Sequence, residues 1–257
     1  MNKCNEHIRL GNEVYDFIDF VSDVGEESIT DYLVWQWRKL NKKFEYLNVK
    51  KHTRHFENKV SGADFELELW VLSKKNNLSI VFQAKKIIPN YNAYCSKLNY
   101  RNGKIRQLDT LKKYAKTNKK IPFYLFYSPA DKNTNSMCGN KIYKTALFMA
   151  DAYTVDDLTK KYKNKKLSKN TILHETNPFH CLFCCPLTKH SFIDYFQHYF
   201  PKVMENNSLE NNEIPSYVLA IANNELGNIS ELIERNNLNV YRNIGVLDLR
   251  DEKDIKQ

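Results

Sequence analysis

Two stretches of alternating polarity restrict this chain more than any other feature. Residues 61–71 read SGADFELELWV and residues 78–86 read LSIVFQAKK, with a polar break between them. A period of two marks a strand with two unlike faces. In the first stretch Asp64, Glu66 and Glu68 share one face, and Ala63, Phe65, Leu67, Leu69 and Val71 share the other. In the second, Ser79, Val81, Gln83 and Lys85 lie together, opposite Ile80, Phe82 and Ala84. A turn over residues 73–77 would pair the two strands and present a carboxylate, an amide and an ammonium at one spot. An acidic alternation is ordinarily a solvated sheet face. Gly62-Ala63 before it and Gln83-Ala84-Lys85 after it point to a site instead.

The chemistry these groups suit is metal-assisted hydrolysis of a phosphodiester. A hard divalent cation such as Mg²⁺ or Mn²⁺ takes oxygen ligands and is usually held by one or two carboxylates plus water and phosphate. Asp64 offers a carboxylate, and Gln83 offers a neutral amide oxygen. Lys85, on the same face as Gln83, can hold the attacking water or stabilise charge growing on phosphorus. Metal binding alone needs no lysine.

Gly62-Ala63-Asp64-x-Glu66 followed by Gln83-Ala84-Lys85 resembles the PD-(D/E)XK nuclease signature, in the variant with glutamine before Ala-Lys. The chain is also similar, over most of its length, to a bacterial family of uncharacterised restriction-endonuclease-like proteins. Further motifs carry that likeness: Glu-Glu-x-Ile-Thr-Asp at residues 26–31, a tyrosine-rich loop leading to Gln107, PFYLFY at residues 122–127 and NPFHCLFCC at residues 177–185. The resemblance implies a mixed central sheet flanked by helices and a Mg²⁺- or Mn²⁺-dependent endodeoxyribonuclease. In that site Asp64, Gln83 and Glu26 would be metal ligands, Glu66 an auxiliary carboxylate and Lys85 the stabilising cation. It also implies Glu27 and Gln107 as supporting residues, a setting in restriction or antiphage defence, and a homo-oligomer or a defence-system protein as partner. The glutamine at position 83 removes a formal charge, so a catalytically inactive nucleic-acid-binding module of the same fold is the alternative.

Apolar residues at helical spacing predict helices over residues 5–21 and 26–42. The stripe Ile29, Leu33, Trp37 and Leu40 runs back to Glu26, which either closes a capping box begun by Asp23 or reaches the site. A third helix is predicted over residues 104–120, with basic residues on its outer side. Lys51, Arg54, Arg101, Lys104, Arg106 and Lys112, interleaved with tyrosines, form the expected nucleic-acid surface. Residues 121–128 and 145–150 are near-continuously apolar and read as central strands. Residues 151–162 read as a helix, residues 191–200 as an aromatic core or dimer-face helix, residues 214–226 as a helix and residues 240–249 as a returning strand. Alternating helices and strands indicate an α/β sheet covered on both faces. One domain would span residues 1–257, with a core over about residues 6–165 and a helical, cysteine-containing extension from about 166.

A formal net charge of +9 suits a polyanionic partner. No run approaches the roughly 20 apolar residues of a membrane span, and the polar start MNKCNEHIRL is no signal peptide. Six cysteines, three of them at Cys181, Cys184 and Cys185, do not resemble a secreted disulfide framework, so a cytoplasmic protein is expected. One Cys-x₂-Cys pair is half a zinc site; buried apolar cysteines are the simpler expectation.

Overall fold

The computed structural model describes residues 3–21, 23–51, 65–87, 97–139, 144–163, 165–185, 188, 190–207, 213–225, 229–236, 238 and 241–250. Asp64, Arg54, Gly62 and Ala63, and the tyrosine-rich loop up to residue 96, lie outside these residues, as does the side chain of Lys51.

The expected α/β architecture is present. Helices α1 (Lys3–Phe20) and α2 (Glu26–Phe44) lead into β1 (Leu47–Lys51), β2 (Phe65–Leu72) and β3 (Asn77–Lys86). A short hairpin, β4 (Arg101–Asn102) and β5 (Ile105–Arg106), precedes α3 (Gln107–Thr117), β6 (Ile121–Tyr127) and β7 (Leu147–Asp151). Then follow α4 (Ala152–Lys161), α5 (Lys169–His174), β8 (Asn177–Pro178), α6 (Cys181–Cys184), α7 (Phe192–Tyr199) and α8 (Pro201–Asn206). The chain ends with α9 (Ser216–Ala222), α10 (Ile229–Arg235) and β9 (Tyr241–Asp248).

Seven strands form one mixed sheet in the order β1-β9-β2-β3-β6-β7-β8. The late strand β9 inserts between β1 and β2, antiparallel to the first and parallel to the second. β2 and β3 are antiparallel, from Leu67 opposite Phe82 to Leu72 opposite Asn77. β3 and β6 run parallel, which puts Lys86 beside Tyr127.

The alternation of the strands divides the core in two, because successive side chains point to opposite faces. Leu67, Leu69, Val71, Ile80 and Phe82 pack under α1, α2, α6 and α7 through Val14, Ile29, Leu33, Trp37, Leu182 and Phe196. Trp70, Leu72, Val81, Tyr124 and Phe126 pack under α3, α4 and α9 through Leu108, Leu111, Val155 and Val218. Each Leu or Phe buried here contributes about 1.5–3 kcal/mol by leaving water, and both faces must be covered because β6 and β7 are apolar on both.

Several local expectations are corrected. α2 begins after Gly25, with no side-chain cap, and Asp23 adopts a left-handed φ of 58° instead of an N-cap. α3 begins at Gln107, because residues 105–106 are taken into the β4–β5 hairpin. Glu66 and Glu68 are buried, in keeping with the expectation that their face is not simply solvated. A disulfide joins Cys4 to Cys184, linking the first turn of α1 to α6 across 180 residues of sequence. Cys184 is thereby withdrawn from any zinc set, while Cys181 and Cys185 are buried in the core as free thiols. No helix among the described residues is long and apolar enough to cross a membrane.

Candidate functional site

The site is built where α2 meets the Lys86 end of β3. Glu26 opens α2, and acidic residues in the first turn are favoured there by the helix dipole. Its Oε1 accepts a hydrogen bond from the Lys86 backbone N–H at 2.9 Å. The Lys86 ammonium donates to the Val24 carbonyl at 2.7 Å. These two bonds fix the start of the helix against the end of the strand. They also leave Glu26 Oε2 facing Lys85, whose Nζ lies 3.7 Å away.

Gln83, two residues back along β3, is 6% exposed. Its Oε1 is buried and has no hydrogen-bond partner among the described residues. A buried amide oxygen left without a donor costs about 1–3 kcal/mol, so such an atom calls for an explanation. Continuing the β2–β3 register one step beyond Leu67 and Phe82 puts Glu66 across from Gln83. Tyr127 closes the floor. Its hydroxyl shares a 2.6 Å hydrogen bond with Thr30 of α2. Burial, and then the charge of Glu66, pushes the Tyr127 phenol far above its ordinary range, with Glu26 adding to the effect. The phenol therefore stays protonated, and it lies in the field of both carboxylates.

Sequence reasoning missed Arg242. This residue of β9 is 7% exposed and lies among three acids. Its Nη1 is 3.1 Å from Glu27 Oε2 and 3.5 Å from Glu66 Oε1, and its Nη2 donates to Asp31 Oδ2 at 3.0 Å. The guanidinium thus screens carboxylates from α2 and β2 that would otherwise repel one another.

Glu26 therefore meets Lys85, Glu66 lies across from Gln83 by strand register two residues back along β3, and Arg242 joins Glu66 to Glu27. Asp64 lies outside the described residues. Gln107 starts α3 with a buried amide oxygen that likewise has no partner among the described residues. The expected nucleic-acid surface is less free than its charges suggest. Arg106 is spent on Asp109 and Asp156, and Lys112 on Asp156. Burial would raise the Asp156 carboxyl, but bonds from Lys112, Lys160 and Arg106 outweigh it and hold the group down at about 2. Arg101 and Lys104 are exposed, with Arg101 Nη1 donating to the Lys104 carbonyl.

The donor set fits a hard divalent cation: two carboxylates and an amide, all oxygen, with the Gln83 oxygen available. Among the described residues no three His, Cys, Asp or Glu side chains are grouped to hold a metal ion. Any site here would draw on the glutamine and on Asp64.

A second polar cluster gathers around Glu68, which pairs with Val81 on the same two strands. Glu68 is fully buried and its Oε1 accepts from Trp70 Nε1 at 2.9 Å, Ser79 Oγ at 3.1 Å, Tyr217 Oη at 3.0 Å and the Lys120 ammonium. Ser79 and Lys85 are six residues apart on β3, roughly 20 Å at strand rise, while Glu66 and Glu68 are two residues apart on β2, roughly 7 Å; the two clusters are neighbours built from different side chains.

No curated protein and no solved structure matches the chain. Residues 4–253, nearly all of the sequence, match a family of unknown function (DUF6615), and the chain belongs to that family.

Proposed function

We propose that the chain is a Mg²⁺- or Mn²⁺-dependent nuclease of the PD-(D/E)XK type that hydrolyses phosphodiester bonds in DNA, in a restriction or antiphage setting. The observation that carries this reading is the Glu26–Lys85 pair at one end of β3, two residues from a buried Gln83 oxygen that has no partner among the described residues. In this reading Glu26, Gln83 and Asp64 hold the cation, and Glu66 supports them. The bound ion would supply Lewis-acid charge and a water of lowered pKa.

The chain's own groups do the rest. Lys85 donates its N–H bonds to the phosphate oxygen on which negative charge grows, and this is worth most where water is excluded. Glu26, 3.7 Å from Lys85 Nζ, keeps the ammonium directed inward. Thr30 and Tyr127 tie α2 to β6, so that Glu26 cannot drift from the strand. Arg242 holds Glu27, Asp31 and Glu66 in place. The chain's net charge of +9 favours a polyanionic substrate.

Arg242 also supports the second reading, a module that binds nucleic acid without cutting it. A guanidinium that already neutralises the acids, beside a glutamine in place of a carboxylate, lowers the site's demand for a metal ion. Purified protein incubated with supercoiled and linear DNA separates the two readings. Cleavage with Mg²⁺ or Mn²⁺ that EDTA abolishes supports the nuclease. Salt-sensitive binding with no metal-dependent cleavage overturns it in favour of the binding module.

A further inference from the structure

A cavity of about 600 Å³ opens beside the Glu68 cluster, lined in part by Trp70, Ser79, Tyr114, Lys120 and Tyr217, with Asn118, Lys119, Glu213 and Asn236 around it. That volume falls in the range of small-ligand sites. The site just proposed for phosphodiester chemistry uses none of these residues, and its Lys85 lies roughly 20 Å along β3 from Ser79 of the cavity wall.

The polar groups define what fits. Charge is balanced: buried Glu68 neutralises Lys120, and at the exposed mouth Glu213 and Lys119 carry opposite charges. An anion gains little from such a site, and a purely apolar ligand would strand the polar groups. Lys120 has three N–H bonds. One goes to Glu68 and one to Ser79 Oγ at 3.3 Å, which leaves a donor deep in the cavity. At the mouth, Asn118 Nδ2 gives one N–H to the Tyr114 carbonyl at 2.8 Å and Asn236 Nδ2 one to the Leu232 carbonyl at 2.6 Å. Each side chain keeps an amide oxygen and its second N–H for a ligand. Trp70, Tyr114 and Tyr217 supply aromatic walls, and a hydrogen bond of 2.7 Å between Tyr114 and Tyr241 hydroxyls braces one of them.

The matching ligand is neutral and flat, with an acceptor at its inner edge and paired donor and acceptor groups at its outer edge, to meet the two amides. We propose that this cavity binds a nucleobase, carried by a free nucleoside or by a nucleic-acid strand. Stacking on aromatic side chains adds to the hydrogen bonds whichever base is present.

Trp70 reports the test directly. Adenosine, guanosine, cytidine and uridine are titrated into the full chain while tryptophan fluorescence and heat of binding are followed, with AMP and a thymidine decanucleotide alongside. The expected result is a saturable change for at least one nucleoside, with the fluorescence part absent in Trp70→Phe. Asn118→Ala and Asn236→Ala, both exposed and harmless to the core, should each weaken binding about five- to tenfold, the loss of one neutral hydrogen bond. Displacement of the nucleoside by the decanucleotide assigns the base to a strand, and no displacement assigns it to a free nucleoside; either upholds the site. The proposal is overturned if no nucleoside binds, if the two asparagine variants bind like the parent, or if AMP binds and adenosine does not.

Discussion

On the Ser79 side of the β2–β3 pair, Glu68 receives hydrogen bonds from Trp70, Ser79, Lys120 and Tyr217; on the Lys85 side, two residues along, the Gln83 oxygen receives none from the described residues, although both side chains are buried. The same two strands thus carry a saturated polar cluster and an unsaturated one. Saturation makes the Glu68 cluster a rigid wall whose carboxylate has little capacity left for chemistry. Lack of it at Gln83 leaves an oxygen that is costly unless something arrives to use it, which is why we place the reaction there.

Breaking each cluster should therefore act in different ways. Glu68→Ala leaves the Lys120 ammonium buried without its counter-charge and should cost about 3–5 kcal/mol in urea unfolding. Gln83→Leu removes no hydrogen bond to a described residue and takes away an unpartnered buried oxygen, so it should leave the chain as stable as the parent or more stable, by up to about 1–3 kcal/mol. Equal losses at the two positions would erase the contrast.

A pH titration probes a third buried polar pair, outside both clusters. His7 and His180 are held neutral: burial, then the His180 and Lys3 charges, lowers His7 to about 3, and burial lowers His180 to about 4. Both folded values lie below the ordinary 6.5, so the unfolded chain takes up protons first as pH falls. Stability should be fully present above about pH 6.5 and fall below it by up to about 1.4 kcal/mol per pH unit for each histidine, levelling off near the folded values. His7→Gln should flatten the unfolding free energy plotted between pH 6 and pH 4.

The smallest effect concerns DNA binding. Arg106 is already paired with Asp109 and Asp156, so Arg106→Ala should leave the salt dependence of binding nearly unchanged. Lys104→Ala, at an exposed cation, should lower the slope by about one. A larger drop for Arg106 than for Lys104 would show that the acidic partners release it on contact with DNA.

The sequence made the strand pair legible because its alternation is local: the faces of residues 67–72 and 77–85 follow from period alone, and so does the pairing of Gln83 with Lys85. The meeting of Glu26 with Lys85 followed from the apolar stripe of α2, which aims its first turn at the sheet. Arg242 was hidden for a topological reason. Its strand returns from the far end of the chain and slips between β1 and β2, a pairing no local pattern announces. The depth of Glu68 was also hidden, since an acidic residue on an alternating strand looks solvated until Lys120 and Tyr217 arrive from elsewhere. The Cys4–Cys184 bond joins positions whose spacing carries no signal.

The most direct test of the central claim compares the two clusters in one assay. Supercoiled DNA is incubated with Mg²⁺ and equal amounts of the parent protein, Lys85→Ala and Tyr217→Phe, the last a mild change in the saturated cluster. We predict that Lys85→Ala cleaves about 10²–10³-fold more slowly and that Tyr217→Phe stays within about threefold of the parent, near the effect of one neutral hydrogen bond. A parent that never cuts, or a Lys85→Ala protein that cuts as fast as the parent, would contradict the account.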